Sequence, residues 1–271
     1  MELIRPAGNS GKFYPDDPEV IKKMIIHWND LLDRHFEDKD IFNLRPEAIV
    51  SPHAGYVYSG FTANYAHRIL GNRNAKRIIV AGPSHHVYIR GISAGYFDAY
   101  ETPFGLLQGD KAYLKELSRY FNFTFEETAH YLEHSTETQF PFIKHFNPGT
   151  KIVELIYGNT DYLELADIFE YILRDKDNAI VVSTDLSHFH TQNTANEIDS
   201  HCLVAFEYKN LELGLEKCEA CGKIGLNALI KTAGDLYMNT KVLDYRTSGD
   251  VTGDLTRVVG YMSGVAYFEK K

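Results

Sequence analysis

The chain has no block of Lys or Arg, no apolar run long enough to cross a bilayer and only three cysteines. Each shortage removes a class of function. A formal net charge of −9 and a pI near 5.7 argue against a nucleic-acid footprint or an anionic membrane surface, both of which need clustered cations. Spanning a bilayer takes about 20 predominantly apolar residues, and at the start Glu2 and Arg5 flank only Leu3 and Ile4, too little for the apolar core of a signal peptide. The expectation is a cytoplasmic protein whose partners are small molecules or other proteins. Cys202, Cys218 and Cys221 make an odd count and no disulfide framework. Cys218-x-x-Cys221 therefore reads as reduced cysteines flanking a helix, ahead of a zinc half-site or a redox pair. Two catalytic signatures are also missing. Gly55-x-x-x-x-Gly60 runs into Phe61-Thr62, without the lysine of a phosphate-binding loop, and there is no Gly-x-Ser-x-Gly elbow.

What is present is the make-up of a globular domain: 271 residues, 44% hydrophobic and 24% charged. Glycine and proline between Arg5 and Pro15 predict an arm or loop. From Pro18, with Asp17 placed to cap, Val20, Ile21, Met24, Ile25, Trp28, Leu31 and Leu32 share one helical face, expected to pack on a sheet. A polar connector over 33–46 follows. Short β-branched runs predict strands over 48–50, 77–81, 92–97, 151–156, 179–184, 240–246 and 257–268. Helices are expected over 60–70, behind Asp110, from 133–137 past Pro141, over 162–173 and over 223–233, and another behind a capping box of Thr194 and Glu197. Asp161 and Glu164 form a second such box. This alternation implies a single α/β domain with a mixed, largely parallel sheet and helices on both faces.

In such sheets ligands sit beyond the carboxyl ends of the strands. Four polar clusters directly follow predicted strands: His53, His85-His86, Asp185 with His188, and Ser248-Gly249-Asp250. They are expected on one rim. Imidazole is a common transition-metal ligand, and two histidines with a carboxylate leave open positions for chemistry. His53 and His85 are the first pair to choose. Asp185 can orient an imidazole or cap a turn, His188 can ligate or act as acid and base, and Asp250 can ligate or belong to an ordinary turn. Glu133-His134-Ser135-Thr136-Glu137 offers a further histidine between carboxylates, either lining the pocket through Glu137 or opening a helix.

Gly11-Lys12-Phe13-Tyr14-Pro15, Pro52-His53-Ala54-Gly55-Tyr56, Gly82-Pro83-Ser84-His85-His86, Glu133-His134-Ser135-x-Glu137, Ser183-Thr184-Asp185-Leu186-Ser187-His188 and Ser248-Gly249-Asp250 occur in that order. In this the chain resembles the MEMO family, labelled AmmeMemoRadiSam system protein B in microbes. That family is similar in fold to the class III extradiol dioxygenases, so the resemblance implies one α/β domain with a metal pocket at the strand ends. It implies His53 and His85 as ligands, as in animal members, where a cysteine is third and iron and copper have both been associated with the site. Aligned on Tyr245 and Tyr261, Val251 stands at the cysteine's place, so the thiolate is expected to be absent. Asp250 is then the expected third ligand, with His188 or solvent as alternatives. Iron is the first metal to expect, copper or zinc the alternatives, and Asp185 and His188 the catalytic pair. A metal-dependent oxidoreductase leads; a metal-dependent hydrolase and a non-catalytic partner of a radical S-adenosylmethionine enzyme and an AMMECR-type protein are the other readings. Animal members also bind phosphotyrosine peptide, for which this chain has no arginine cluster.

Overall fold

The computed structural model describes residues 2–35 and 39–269. Its strands are β1 (Ile4–Arg5), β2 (Ala48–Ser51), β3 (Arg77–Pro83), β4 (Ile92–Ala94), β5 (Ala99–Tyr100), β6 (Leu107–Gly109), β7 (Lys151–Tyr157), β8 (Asn178–Ser183), β9 (His188–His190), β10 (Asn239–Thr247) and β11 (Val258–Tyr267). The helices are α1 (Pro18–His35), α2 (Tyr56–Gly71), α3 (Lys111–Leu117), α4 (Glu127–Leu132), α5 (His134–Glu137), α6 (Phe140–Phe146), α7 (Tyr162–Leu173), α8 (Gln192–Glu207), α9 (Leu211–Glu216), α10 (Lys223–Asp235) and α11 (Ser248–Thr252). One sheet runs β1-β5-β6-β7-β3-β8-β2-β11-β10, with β4 on β7 and β9 on β11. Its centre, β7-β3-β8-β2, is parallel, and β11 and β10 add an antiparallel edge.

The central strands are apolar on both faces because helices cover both. Ala48, Val50, Ile79, Ala81, Ile180 and Val182 enter one core cluster, with α7, α8 and α10. Their alternates Ile49, Ile78, Val80, Ala179 and Val181 enter the other, against α2 and α6. The period of two is thus kept while both phases are buried. This is the expected α/β class, and among the described residues no helix is long and apolar enough to cross a membrane.

Several local expectations change. Helix α1 buries Ile21, Ile25 and Trp28 against Tyr56 and Ala63 of α2 and Phe142 of α6, not against the sheet, and Val20 is exposed. That packing needs Gly60, since a Cβ there would lie 2.4 Å from the Trp28 ring. The expected connector is mostly taken up by the end of α1 and a 3-10 turn, Lys39–Asn43; residues 36–38 lie outside the described residues. The strand expected over 92–97 stops at Ala94. Helix α8 starts at Gln192, two residues before the expected Thr194 cap, and the Thr194 hydroxyl bonds Thr191 instead. Asp161 caps α7 through the Leu163 N–H, but Glu164 accepts from the Thr160 hydroxyl and closes no box. The arm over 5–15 is no free loop: β1 pairs with β5, and Arg5 is fully buried.

Candidate metal centre

His53 follows β2 and is 2% exposed. Its protonation is fixed by a chain of hydrogen bonds. The Ser183 hydroxyl donates to the Ser135 carbonyl at 2.5 Å, so toward the Gln139 amide and His53 Nδ1, both at 2.9 Å, it accepts. Gln139 is held in turn by Pro52 O and His67. His53 therefore carries its proton on Nδ1, which leaves the Nε2 lone pair free. Burial first, then the neighbouring His85, push its pKa down to about 3, so the ring is neutral at physiological pH.

His85 follows β3. Its Nδ1 donates to Glu133 Oε1 at 2.8 Å, and its backbone N–H to Glu133 Oε2 at 2.6 Å, so here too Nε2 is left over. Glu133 is fully buried and also accepts from the Ser135 N–H at 2.9 Å. Burial alone would raise its carboxyl, but His85 and the two backbone donors overcome that and hold it at about 2. The His53 and His85 rings lie 5.2 Å apart, edge to face, and His134, stacked on Phe13, is 5.4 and 4.6 Å from them. With a folded value below its ordinary value of 4.5, Glu133 adds stability that is present above that pH and lost as pH falls toward about 2. Glu133→Gln is expected to flatten the acid limb of stability in that window, read by urea denaturation; an unchanged limb would contradict this role.

The third donor is one the sequence reading set aside. Cys221, in the connector between α9 and α10, places Sγ 3.2 Å from His53 Nε2. With that nitrogen bare, the thiol is the donor. Burial, and then Asp185, push the thiol up to about 12, while the Asp185 N–H donates to the sulfur at 3.2 Å. One donor atom each from His53, His85 and Cys221 lie within 4.8 Å of one another, and a neighbouring group of His85, Glu133 and His134 does the same. The expectation of a reduced Cys218–Cys221 pair is corrected as well: Cys202 and Cys218 form a disulfide, joining α8 to the connector, and Cys221 is the free thiol. The Cys-x-x-Cys pair is split between two tasks.

Asp185 follows β8 between the two histidine loops, and its Oδ1 accepts the His53 N–H at 2.8 Å. Burial raises its carboxyl above the ordinary value. His188 donates from Nδ1 to the Leu186 carbonyl at 2.7 Å, so its Nε2 is an acceptor. Asp250 belongs to neither donor group. Its carboxylate accepts the Thr247 N–H at 2.7 Å and closes a capping box on α11, which satisfies the helix start. Val251, which the resemblance sets at the animal cysteine's place, is exposed on the same short helix. Glu137, which the sequence leaves between lining the pocket and opening a helix, lies in the first turn of α5 and is buried with Arg5, Asn9 and Tyr14.

A family profile described as Memo-like protein matches residues 5–265. The chain belongs to the Memo-like family. Curated relatives include a MEMO1 family protein of Methanobrevibacter smithii, 32% identical over 97% of this chain and 99% of the relative, and one of Aquifex aeolicus, 32% identical over 96% and 97%. A third, from Methanocaldococcus jannaschii, is 30% identical over 98% of this chain and 99% of its own length. In this Memo-like chain His53, His85, Asp185 and His188 gather at the carboxyl ends of β2, β3 and β8, as strand-end reasoning expects. Cys221 and Ser183 were missed. Ser183 was hidden as the last residue of a buried strand, and Cys221 follows no strand and stands 168 residues from His53. The visible signal was a cysteine just before the start of a helix.

Proposed function

We propose that this Memo-like protein holds one transition-metal ion on His53, His85 and Cys221 and is a metal-dependent enzyme acting on a small molecule in the cytoplasm. The observation that carries it is the convergence of two imidazoles and a thiol, within 4.8 Å of one another, from three separate loops. The donor chemistry fits: both histidines are held as tautomers with a free Nε2, and the thiol proton is the one group between them that a cation would displace. Ser183 and Glu133 are the outer partners that fix ring orientation, as around other histidine metal sites.

A bound divalent metal supplies Lewis acidity there and, if it is iron or copper, one-electron chemistry as well. The residues around it supply the rest. His188 Nε2 accepts a proton, and Asp185 holds the His53 backbone in place. A sulfur donor is softer than the expected carboxylate, which brings zinc and copper level with iron. That observation favours a second reading, a zinc-dependent hydrolase. Metal analysis of anaerobically purified protein against a His53→Ala/His85→Ala variant tests the site, and equal metal in both would sink it. Oxygen consumption with an iron- or copper-loaded protein supports an oxidoreductase; ester turnover with zinc and no oxygen uptake supports the hydrolase. A complex with a radical S-adenosylmethionine enzyme or an AMMECR-type protein that survives loss of both histidines would support the non-catalytic partner role.

A further inference from the structure

Cys221 has a second face. It forms part of the wall of a cavity of about 260 Å³ between the segment after β3, the end of β7 and the first turn of α10. Pro83 and Ser84, the residues just before His85, form another part of that wall, so the cavity and the donor cluster share two of their segments. Two of its wall segments are in close backbone contact: a Cβ on Gly158 would lie 2.2 Å from the Ile89 carbonyl oxygen. At about 30 Å³ per water the volume equals about nine waters, room for a ligand of about nine or ten non-hydrogen atoms.

The chemistry of the wall is uncharged. Among the described residues it contains no Asp, Glu, Lys, Arg or His, and Val87, Ile89 and Ile224 contribute aliphatic surface. The polar groups are neutral and partly committed. The Tyr157 hydroxyl donates to the Gly222 carbonyl at 3.3 Å, and Ser84 Oγ donates to the Val87 carbonyl at 2.6 Å, leaving it as an acceptor. Asn159 donates to the Tyr88 hydroxyl at 3.3 Å, which leaves the tyrosine proton for a ligand. An ion entering here would find no countercharge among the side chains of the wall, whereas a neutral hydroxyl or carbonyl would find a donor and an acceptor.

We infer that this cavity takes an uncharged small molecule of about nine or ten non-hydrogen atoms, carrying a hydroxyl or carbonyl toward Tyr88, and presents it to the metal centre beside Cys221. Its chemistry rests on the metal reading above; its binding does not. Three probes with one skeleton and three charges test it: benzyl alcohol, benzoate and benzylammonium, titrated into ¹⁵N-labelled protein, as purified and after removal of metal. The alcohol is expected to shift the amides of Gly158, Asn159 and Ile224 saturably in both forms, and each ion to bind the metal-free form, where no cation can pair with a carboxylate, at least about tenfold more weakly, the cost of an unpaired charge. Ile224→Trp should abolish the shifts with metal content unchanged, and Tyr88→Phe, at an exposed position, should weaken binding several-fold without touching the fold. Equal binding of an ion to the metal-free protein, shifts at other amides, or indifference to both variants would overturn the inference. Protein that binds the alcohol but never holds metal would overturn only the metal reading; protein that holds metal and ignores the alcohol would overturn only the cavity.

Discussion

Cys221→Ser is expected to lower metal affinity by at least on the order of 100-fold, the upper end of what losing an outer partner of a ligand costs. The argument is geometric. Sγ lies 3.2 Å from the one bare nitrogen of His53, and a serine at that place is a shorter, neutral and harder donor. The loss should be greatest for copper and zinc and least for iron, read by competition with a chelator of known affinity. Asp250→Ala is the contrast. Its carboxylate closes the Thr247 capping box, so its removal should cost about 1 kcal/mol of stability and leave metal content unchanged. If Asp250→Ala empties the site and Cys221→Ser does not, the donor set is the one expected from sequence and the thiol is a bystander.

Arg5→Met should destabilise the fold by about 3–5 kcal/mol, a fall in Tm on the order of 10 °C for a chain of this size. Arg5 is 1% exposed and pairs with Glu137 at 2.7 Å and with Glu154 at 3.4 Å, while its other nitrogen donates to the Glu133 carbonyl at 2.7 Å. Both glutamates are fully buried, so the methionine leaves two carboxylates without their cation. Their remaining partners soften the loss: Asn9 and Tyr14 on Glu137, and His130 and Thr136 on Glu154. Arg5→Lys keeps the charge but not the fork that donates to Glu137 and to the Glu133 carbonyl at once, and should fall between the methionine variant and the unchanged protein. Through the Glu133 carbonyl, Arg5 also steadies the segment that holds His85, so the methionine variant should lose metal affinity before it unfolds. Thermal melts of metal-loaded and metal-free protein separate the two effects; a melting point within about 2 °C of the unchanged protein would contradict the role of this network.

The same residues show how much of the molecule is legible in one dimension. Strand positions 48–50, 77–81 and 179–184 could be read because local β-branched runs bounded by turn residues are a property of neighbours in the chain. His53, His85, Asp185 and His188 could be read because the carboxyl end of a parallel strand is a place the topology itself marks. Asp250 was assigned to the same rim on the same rule. Yet Thr247 three residues before it also spells a capping box, and that local bond decides where its carboxylate goes.

By itself, then, the sequence determined the central strands, the α/β class, the two histidines and their common rim, because each follows from contacts between residues close in the chain or from the direction of a strand. Only the tertiary structure brought Cys221 to the histidine pair and placed the protons of the two rings. Cys221 reaches His53 because the connector between α9 and α10 crosses the strand ends, a consequence of how the helices pack on the sheet. The bare Nε2 atoms depend on Ser183, Gln139 and Glu133, drawn from three segments by burial. A buried imidazole takes its proton where an acceptor waits, and no spacing of letters records which acceptor that is.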